Sequence, residues 1–170
     1  MTITTPQLTI RRFTTTDLTA VNQMGTNPEI TRQLNMSCFQ STTEARAFLQ
    51  MLIGDTDAWA LVAKADQRVC GLLMLAPQLA ADQAAVAAYE MSFAILPAYQ
   101  RRGLISEAIP TIIKAYQQTT EVQHYQAACF LDNVASQKTL EKAGFSADYQ
   151  GQLPDFMGGQ TIQYYRYLIV

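Results

Sequence analysis

One short stretch, AYQRRGLISEA at residues 98–108, limits what this chain can fold into more than any other part of the sequence. An apolar run typical of a strand ends at Pro97 just before it, and apolar residues at helical spacing follow it. The stretch therefore predicts a strand-to-helix turn, with two arginines and a glycine at the start of the helix. Because a helix start leaves N–H groups unpaired and carries a partial positive charge, two interpretations are open: a pyrophosphate site, or a solvated helix start with two surface arginines.

The rest of the sequence predicts a mixed α/β fold. Apolar runs indicate strands at residues 8–13, 59–63, 69–76, 89–96, 126–131, 145–153 and 161–170. Helical periodicity, a capping box at Ser41 and a stop at Gly144 indicate helices at about residues 17–26, 42–53, 104–116 and 133–143. The alanine-rich residues 79–88 are interpreted as a loop. This order of elements is typical of an α+β or mixed α/β sheet with βα crossovers in the middle.

Composition and charge argue for a globular protein and against several kinds of partner. The length of 170 residues predicts one domain over residues 1–170, and the 49% of hydrophobic residues predicts that it is globular. A net charge of −2 disfavours nucleic acid, since binding phosphates needs a basic excess. The three cysteines, Cys38, Cys70 and Cys129, lie far apart, and His124 is the single histidine. We therefore expect neither a metal site nor a disulfide framework.

The sequence also predicts where the protein resides. No apolar run approaches the ~18 residues that a membrane span needs, so we expect no membrane association. The first residues show no apolar core behind a basic head, so we expect no signal peptide. Free thiols suit a reducing compartment, and the prediction is a cytoplasmic protein.

Two separated blocks carry a family resemblance. QRRGLISEA places Gln100, Gly103 and Ile105 at the positions of the signature Gln/Arg-x-x-Gly-x-Gly/Ala, and it resembles the acetyl-coenzyme A loop of the GNAT superfamily of N-acetyltransferases. NVASQKTLEKAGF at residues 133–145, with LTIRRFTTTD near the start, is similar to the ribosomal-protein N-terminal acetyltransferase branch. The resemblance implies a central, mostly antiparallel twisted sheet of about seven strands flanked by about four helices.

The resemblance further implies acetyl-CoA as cosubstrate. The expected pyrophosphate loop consists of Gln100, Arg101, Arg102, Gly103, Leu104, Ile105 and Ser106. Free backbone groups of Ile95 and Leu96, at a splay between strands, are expected to hold the pantetheine arm together with Asn133, which is also a good N-cap.

This chain departs from the family pattern at three positions of the cofactor region. Ile105 stands where the signature has Gly or Ala, and Arg101 stands where this branch commonly has a glycine. Helical periodicity predicts that the side chain of Ile105 turns into the core. Pro110 interrupts the following helix and predicts a bend there.

The implied reaction is acetyl transfer to an amine, which needs a base, donors to the oxyanion and an acid for the thiolate. Glu90 is the candidate base, because apolar surroundings raise the proton affinity of a carboxylate. The alternative is a strand-face glutamate paired with an arginine. Many family members carry a tyrosine near the position of Leu140, which cannot donate a proton. Ser136 is therefore the candidate acid, with an ordinary first-turn serine as the alternative.

The sequence leaves the acceptor and the oligomeric state open. The branch implies a protein N-terminal α-amine, whose reference pKa near 8 is roughly two units below that of lysine and asks less of a base. A small amine such as a polyamine or an antibiotic is the alternative, although the scattered Glu44, Asp55 and Asp57 form no acidic pocket for a polyamine. A non-catalytic acyl-CoA binder and a plain interaction domain are further alternatives. Family members are often monomers or homodimers, and we expect either state.

Overall fold

The structure is a computed structural model that describes residues 1–80, 85–154 and 157–169. In that part of the chain the strands are β1 (Thr2–Thr4), β2 (Leu8–Arg11), β3 (Ala58–Ala63), β4 (Arg68–Leu79), β5 (Val86–Ile95), β6 (His124–Phe130), β7 (Ser146–Gln152) and β8 (Thr161–Leu168). The helices are α1 (Leu18–Gly25), α2 (Pro28–Gln33), α3 (Thr42–Gly54), α4 (Leu104–Gln117) and α5 (Val134–Lys142). None of these helices is both long enough and apolar enough to cross a bilayer.

The chain divides into two compact units, Met1–Met74 with Phe93–Ala108 and Leu75–Ser92 with Ile109–Val170. In the first unit, β1, β2, β3 and the start of β4 are antiparallel neighbours. Helices α1, α2 and α3 supply the apolar side chains of its core together with the strands, and the members include Phe13, Val21, Leu49, Leu52 and Leu72. Burial of such side chains is the main source of stability for this unit.

The second unit is built on β5, β6, β8 and β7, hydrogen-bonded in that order. Strands β5 and β6 are parallel, whereas β6 with β8 and β8 with β7 are antiparallel. The ladder between β5 and β6 pairs only Tyr89 with Tyr125, Glu90 with Gln126 and Met91 with Ala127. An aromatic cluster fills the core on one face of this unit, and it comprises Tyr89, Tyr116, Tyr125, Phe145 and Tyr167.

The predicted fold class is confirmed, and the described residues add one strand and one helix to the predicted number. The added strand, β1, has three residues, of which Ile3 alone is apolar, so it is too short to show a periodic pattern. The added helix, α2, begins with Pro28, and the side chain of Asn27 accepts hydrogen bonds from the backbone of Glu29 and Ile30. Asn-Pro is a recognisable helix start, so the sequence does carry a local signal for α2.

Helix ends were predicted better than the ends of the long hairpin. Gly144 follows α5 with φ of +97°, as predicted. Ser41 caps α3 by accepting from the backbone N–H of Glu44, but the predicted capping box is incomplete, because the side chain of Glu44 accepts from the N–H of Gln40 instead of that of Ser41. The loop predicted at residues 79–88 is too long, because β4 continues to Leu79 and β5 begins at Val86. Residues 81–84 of that loop lie outside the described residues. The single domain over residues 1–170 stays a prediction.

Candidate functional site

The turn between β5 and α4 has the predicted strand-turn-helix form. A short 3-10 turn at Pro97–Tyr99 follows β5, and α4 begins at Leu104. Arg101 and Gly103 have φ of +63° and +76°. In the left-handed region glycine is free of strain and other residues are not. The glycine that this branch commonly has at position 101 therefore has a conformational reason, and Arg101 adopts the same backbone at some cost in strain.

The first turn of α4 buries its apolar side chains and leaves polar groups outside. Leu104 and Ile105 are each 5% exposed, which confirms that the side chain of Ile105 lies in the core. Gly103 and Ser106 are half-buried, whereas Gln100, Arg101 and Arg102 are exposed. The substitution of Gly or Ala by Ile105 therefore leaves the outer surface of the loop unobstructed. Helix α4 is continuous through the exposed Pro110, and a bend there stays a prediction.

Side chains of the turn brace its backbone. Arg102 Nη2 donates to the carbonyl of Ala98 at 2.7 Å, and its guanidinium lies 5.3 Å from the ring centre of Tyr99. Tyr99 donates its hydroxyl to Asp66 Oδ2 at 2.6 Å. Gln100 Nε2 donates to the carbonyl of Ile95 at 3.4 Å. These contacts fix a loop that contains two residues with positive φ.

The carboxylate of Glu107, in the first turn of α4, is hydrogen-bonded to a residue that lies far away in the sequence. Glu107 accepts hydrogen bonds from the backbone N–H of Gln7 at 2.8 Å and from Gln7 Nε2 at 2.9 Å. Gln7 Nε2 also lies 3.4 Å from the carbonyl of Arg102. Burial would raise the pKa of Glu107, but hydrogen bonds from Thr5 and Gln7 outweigh it and lower that pKa. No short-range sequence pattern predicts a contact between residues that are 100 positions apart.

The backbone of Leu96 is not free, which corrects the prediction for that residue. Its N–H donates to the carbonyl of Cys70 at 2.8 Å, and its carbonyl accepts from the N–H of Tyr99 at 2.9 Å. The close approach of β4 explains this, since a Cβ at Gly71 would lie 2.4 Å from the carbonyl oxygen of Ala94. Backbone groups alternate in direction along a strand, so those of Ile95 point away from β4.

Glu90 lies half-buried in β5, within the second unit. It is opposite Gln126 in the parallel ladder, and Gln126 Nε2 donates to Glu90 Oε2 at 3.4 Å. Within residues 1–80, 85–154 and 157–169, Glu90 has no ion pair, so the alternative of an arginine partner finds no support. The carboxylate therefore keeps accepting capacity beyond one long hydrogen bond.

Asn133 and Ser136 form one hydrogen-bonded cap at the start of α5. Asn133 Oδ1 accepts from the backbone N–H of Ser136 at 3.0 Å, and Asn133 Nδ2 donates to Ser136 Oγ at 2.8 Å. The predicted N-cap is therefore confirmed. Because Ser136 Oγ acts as acceptor in this contact, its hydroxyl hydrogen can be donated to a further group. Leu140, at the position of the family's tyrosine, is fully buried.

Comparison with known proteins shows the family. The Acetyltransferase (GNAT) domain matches residues 7–146, and the chain therefore belongs to this family of acetyltransferase enzymes. The sequence is also 25% identical over 179 residues to the uncharacterized N-acetyltransferase p20 of Bacillus licheniformis. That match covers 99% of this chain and 96% of the relative.

Solved structures share the fold. An acetyltransferase of the GNAT family from Bacillus anthracis matches with a TM-score of 0.85 at 20% identity, covering 99% of this chain and 98% of that one. A ribosomal L7/L12 α-N-protein acetyltransferase in complex with coenzyme A matches with a TM-score of 0.77 at 16% identity, with the same two coverages. At these identities the likeness concerns the fold, and it confirms the predicted GNAT fold. Among the described residues no group of at least three His, Cys, Asp or Glu side chains could hold a metal ion.

Proposed function

We propose that this GNAT protein is an acetyl-CoA-dependent N-acetyltransferase whose acceptor is the α-amine of a protein N-terminus. The observation that carries the cosubstrate is the turn before α4. Arg101 and Gly103 both have positive φ there, and the side chain of Ile105 is buried. This arrangement presents backbone N–H groups and two arginines at a helix start, which favours binding of a pyrophosphate. The related structure with coenzyme A bound supports the same cosubstrate.

Each part of the loop has a proposed role. The N–H groups of Gly103, Leu104, Ile105 and Ser106 donate to pyrophosphate oxygens, because the first four N–H groups of a helix region lack partners within the helix. Gln100, Arg101 and Arg102 add side-chain donors from an exposed position. Ile95 is proposed to bind the pantetheine arm through its N–H, and Asn133 through its side chain. Leu96 is omitted, because both of its backbone groups are occupied.

Proton transfer is assigned to two residues of the second unit. Acetyl-CoA supplies a thioester carbonyl that is open to attack. Glu90 removes a proton from the acceptor ammonium, and the neutral nitrogen then forms a bond to the carbonyl carbon. When the carbon–sulfur bond breaks, Ser136 donates its hydroxyl proton to the thiolate, and the second proton that the nitrogen loses as it becomes an amide restores the hydroxyl of Ser136. An α-amine suits a modest base, because its reference pKa is near 8.

Calorimetric titration with acetyl-CoA and with free coenzyme A tests the proposal. We expect binding in the micromolar range for the wild-type chain. Gly103→Val should abolish it, because a branched side chain with positive φ strains the loop and obstructs the phosphates. Gly158→Val is the matched control, since Gly158 also has positive φ, at +101°, and a Cβ there would meet no atom within 4 Å. Absence of binding to the folded wild-type protein, or binding that survives in Gly103→Val, would overturn the proposed cofactor site.

Acetylation of a panel of peptides and small amines then tests the acceptor. Transfer to peptide α-amines in preference to polyamines and aminoglycosides supports the assignment. Transfer confined to a small amine would support the assignment as an N-acetyltransferase and would replace the protein N-terminus by that amine as its acceptor.

A further inference from the structure

Glu90 and Gln126 are paired across the short parallel ladder between β5 and β6. The ladder has three pairs, and Glu90 with Gln126 is the middle one. Side chains alternate between the two faces along each strand, and residues directly opposite each other share a face. The side chains of Glu90 and Gln126 therefore lie next to each other on one face of the sheet, and the pairs on either side fix the backbone of both residues.

Aromatic packing on the opposite face holds these two strands in place. The rings of Tyr89 and Tyr125 are stacked with centroids 6.0 Å apart, and Tyr116 of α4 meets Tyr89 edge-on at 5.2 Å. Tyr125 is fully buried, and Tyr89 is buried as well. Because Glu90 and Gln126 directly follow two of these tyrosines in the chain, a well-packed backbone carries both polar side chains.

The hydrogen bond between the two side chains has a defined direction. Gln126 Nε2 donates to Glu90 Oε2 at 3.4 Å, and an ionised carboxylate can only accept, so the amide presents its N–H to Glu90. Hydrogen bonds of catalytic groups are often long in the free enzyme and shorten in the complex with substrate. Among the residues that the structure describes, Glu90 Oε1 has no hydrogen-bond partner. One carboxylate oxygen is therefore bound, and the other is available.

The charges on this face explain why a neutral donor suits position 126. Arg166 lies opposite Gln126 in β8, so it is two strand spacings, about 10 Å, from Glu90. Its guanidinium is bound to Asp148 at 2.5 Å. A cation at position 126 would pair with Glu90 and weaken it as a base, and a carboxylate there would repel it. An amide orients the carboxylate and leaves its charge unchanged.

We propose that Gln126 is a positioning residue for the proposed base: its amide holds Oε2 of Glu90 and directs Oε1 to the acceptor ammonium. This inference rests on the proposed function and adds the residue through which Glu90 is oriented. Gln126 neither takes up nor releases a proton. Its contribution is to geometry, and a displacement of about 1 Å at a reacting group can lower a rate about 100-fold.

A double-mutant cycle between Glu90 and Gln126 tests the inference. Gln126→Met keeps an unbranched side chain of similar length and removes the donor. The four proteins are the wild type, Gln126→Met, Glu90→Gln and the variant with both substitutions. Their kcat and KM values are measured with acetyl-CoA and the amine of the acceptor panel that the wild type acetylates fastest. Urea unfolding confirms that each variant is folded.

We expect Gln126→Met to lower kcat at neutral pH about 10- to 100-fold and to leave the KM for acetyl-CoA unchanged. In the Glu90→Gln background the same substitution should change kcat less than about two-fold, because the group that Gln126 orients is then no longer a base. A merely structural role would lower kcat by the same factor in both backgrounds.

Gln163→Met is the matched control. Gln163 is also a half-buried strand glutamine, and its amide donates to the carbonyls of Tyr149 and Tyr164. It lies opposite Cys129, which is three residues from Gln126 along β6, so its side chain is on the other face of the sheet. This substitution should keep the kcat of the wild type.

NMR of the Gln126 side-chain amide tests the contact without turnover. Its resonances are assigned by their loss in Gln126→Met. They should shift as the pH is lowered from about 7 to about 4, the range in which a glutamate ordinarily takes up a proton. Most of this response should disappear in Glu90→Gln, because the carboxylate that accepts from the amide is then absent.

Three results would overturn the inference. One is an unchanged kcat in Gln126→Met beside a large loss in Glu90→Gln. The second is an equal loss from Gln126→Met in both backgrounds, and the third is an amide response to pH that persists in full in Glu90→Gln. Failure of the proposed function looks different. Either the wild type acetylates no amine, or Glu90→Gln keeps full turnover, and the role of Gln126 then falls together with that of Glu90.

Discussion

Glu107, in the first turn of α4, accepts two hydrogen bonds from Gln7 at 2.8 and 2.9 Å. A carboxylate near a helix start would ordinarily compete with an incoming phosphate for the positive end of the dipole. Here Gln7 occupies the carboxylate and also contacts the carbonyl of Arg102. Gln7 therefore links the N-terminal segment to the turn before α4, and it supplies the hydrogen bonds that the carboxylate of Glu107 needs.

Glu107→Gln should weaken the binding of acetyl-CoA several-fold. An amide oxygen replaces only one of the two carboxylate oxygens, so one of the donors of Gln7 loses its acceptor. The free energy of unfolding should fall by about 1–3 kcal/mol, the range for losing hydrogen bonds to a charged group. Calorimetric titration and urea unfolding measure the two quantities.

Glu44→Gln provides the matched control. Glu44 also lies in the first turn of a helix, α3, and it accepts from the backbone N–H of Gln40 at 3.0 Å. This change should leave acetyl-CoA binding unaltered. Equal effects of the two substitutions on binding would show that Glu107 acts through net charge alone.

Gly25→Ala should destabilise the protein. A Cβ at Gly25 would lie 1.9 Å from Cε2 of Phe39, whose ring packs on Phe48 with centroids 5.5 Å apart. The ring has to move, and crowding of this kind costs about 1–3 kcal/mol. Gly54 is the matched control, because it also ends a helix and a Cβ there would meet no atom within 4 Å. Urea unfolding should show a loss for Gly25→Ala and no loss for Gly54→Ala.

The ion pair of Arg11 and Asp17 predicts a loss of stability in acid. Asp17 is 5% exposed and accepts from Arg11 at 2.7 and 2.8 Å. Burial would raise the pKa of Asp17, but Arg11 and Thr14 outweigh it and lower the pKa from its ordinary value of 3.8. Because the folded-state pKa is the lower one, this contribution is complete above about pH 4 and is lost as the pH falls through the folded-state value.

In Asp17→Asn, the free energy of unfolding should therefore fall less steeply than in the wild type as the pH decreases through the acid range. The substitution should cost about 2–3 kcal/mol at neutral pH, and the difference from wild type should shrink below about pH 4. Urea unfolding between pH 7 and pH 2.5 measures both. A difference that stays constant across this range would contradict a role for the Asp17 charge.

Ser136→Ala separates catalysis from capping. The N-cap bond of α5 uses the backbone N–H of Ser136, which alanine retains. The free energy of unfolding should therefore change by less than about 1 kcal/mol. If Ser136 is the general acid, kcat should fall by about 100-fold or more. Asn133→Ala removes the N-cap side chain, so the free energy of unfolding should fall by about 1 kcal/mol. Unaltered kcat in Ser136→Ala would leave the serine with a purely structural role.

Local signals in the sequence were sufficient for much of the fold and for the outline of the loop. The cap at Ser41, the stop at Gly144 and the burial of Ile105 all follow from residue type and spacing within a few positions. The GNAT blocks then supplied the topology. Interactions over long separations could not be obtained in this way, because no periodicity links Gln7 to Glu107 or Cys70 to Leu96. The occupied backbone of Leu96 is therefore the point at which the predicted cofactor site needs correction.

Glu90→Gln should lower turnover at neutral pH by about 100-fold or more, because the amide cannot accept the proton of the acceptor ammonium. The binding of acetyl-CoA should not change. The defect should also shrink as the pH rises from 7 to 9, since an α-amine with a reference pKa near 8 then loses its proton to solvent. Glu29→Gln, on the exposed surface of α2, is the matched control and should keep full turnover. Initial rates across this range measure the ratio of wild type to variant. A ratio that stays constant with pH, or unchanged turnover at pH 7, would remove Glu90 from the role of base.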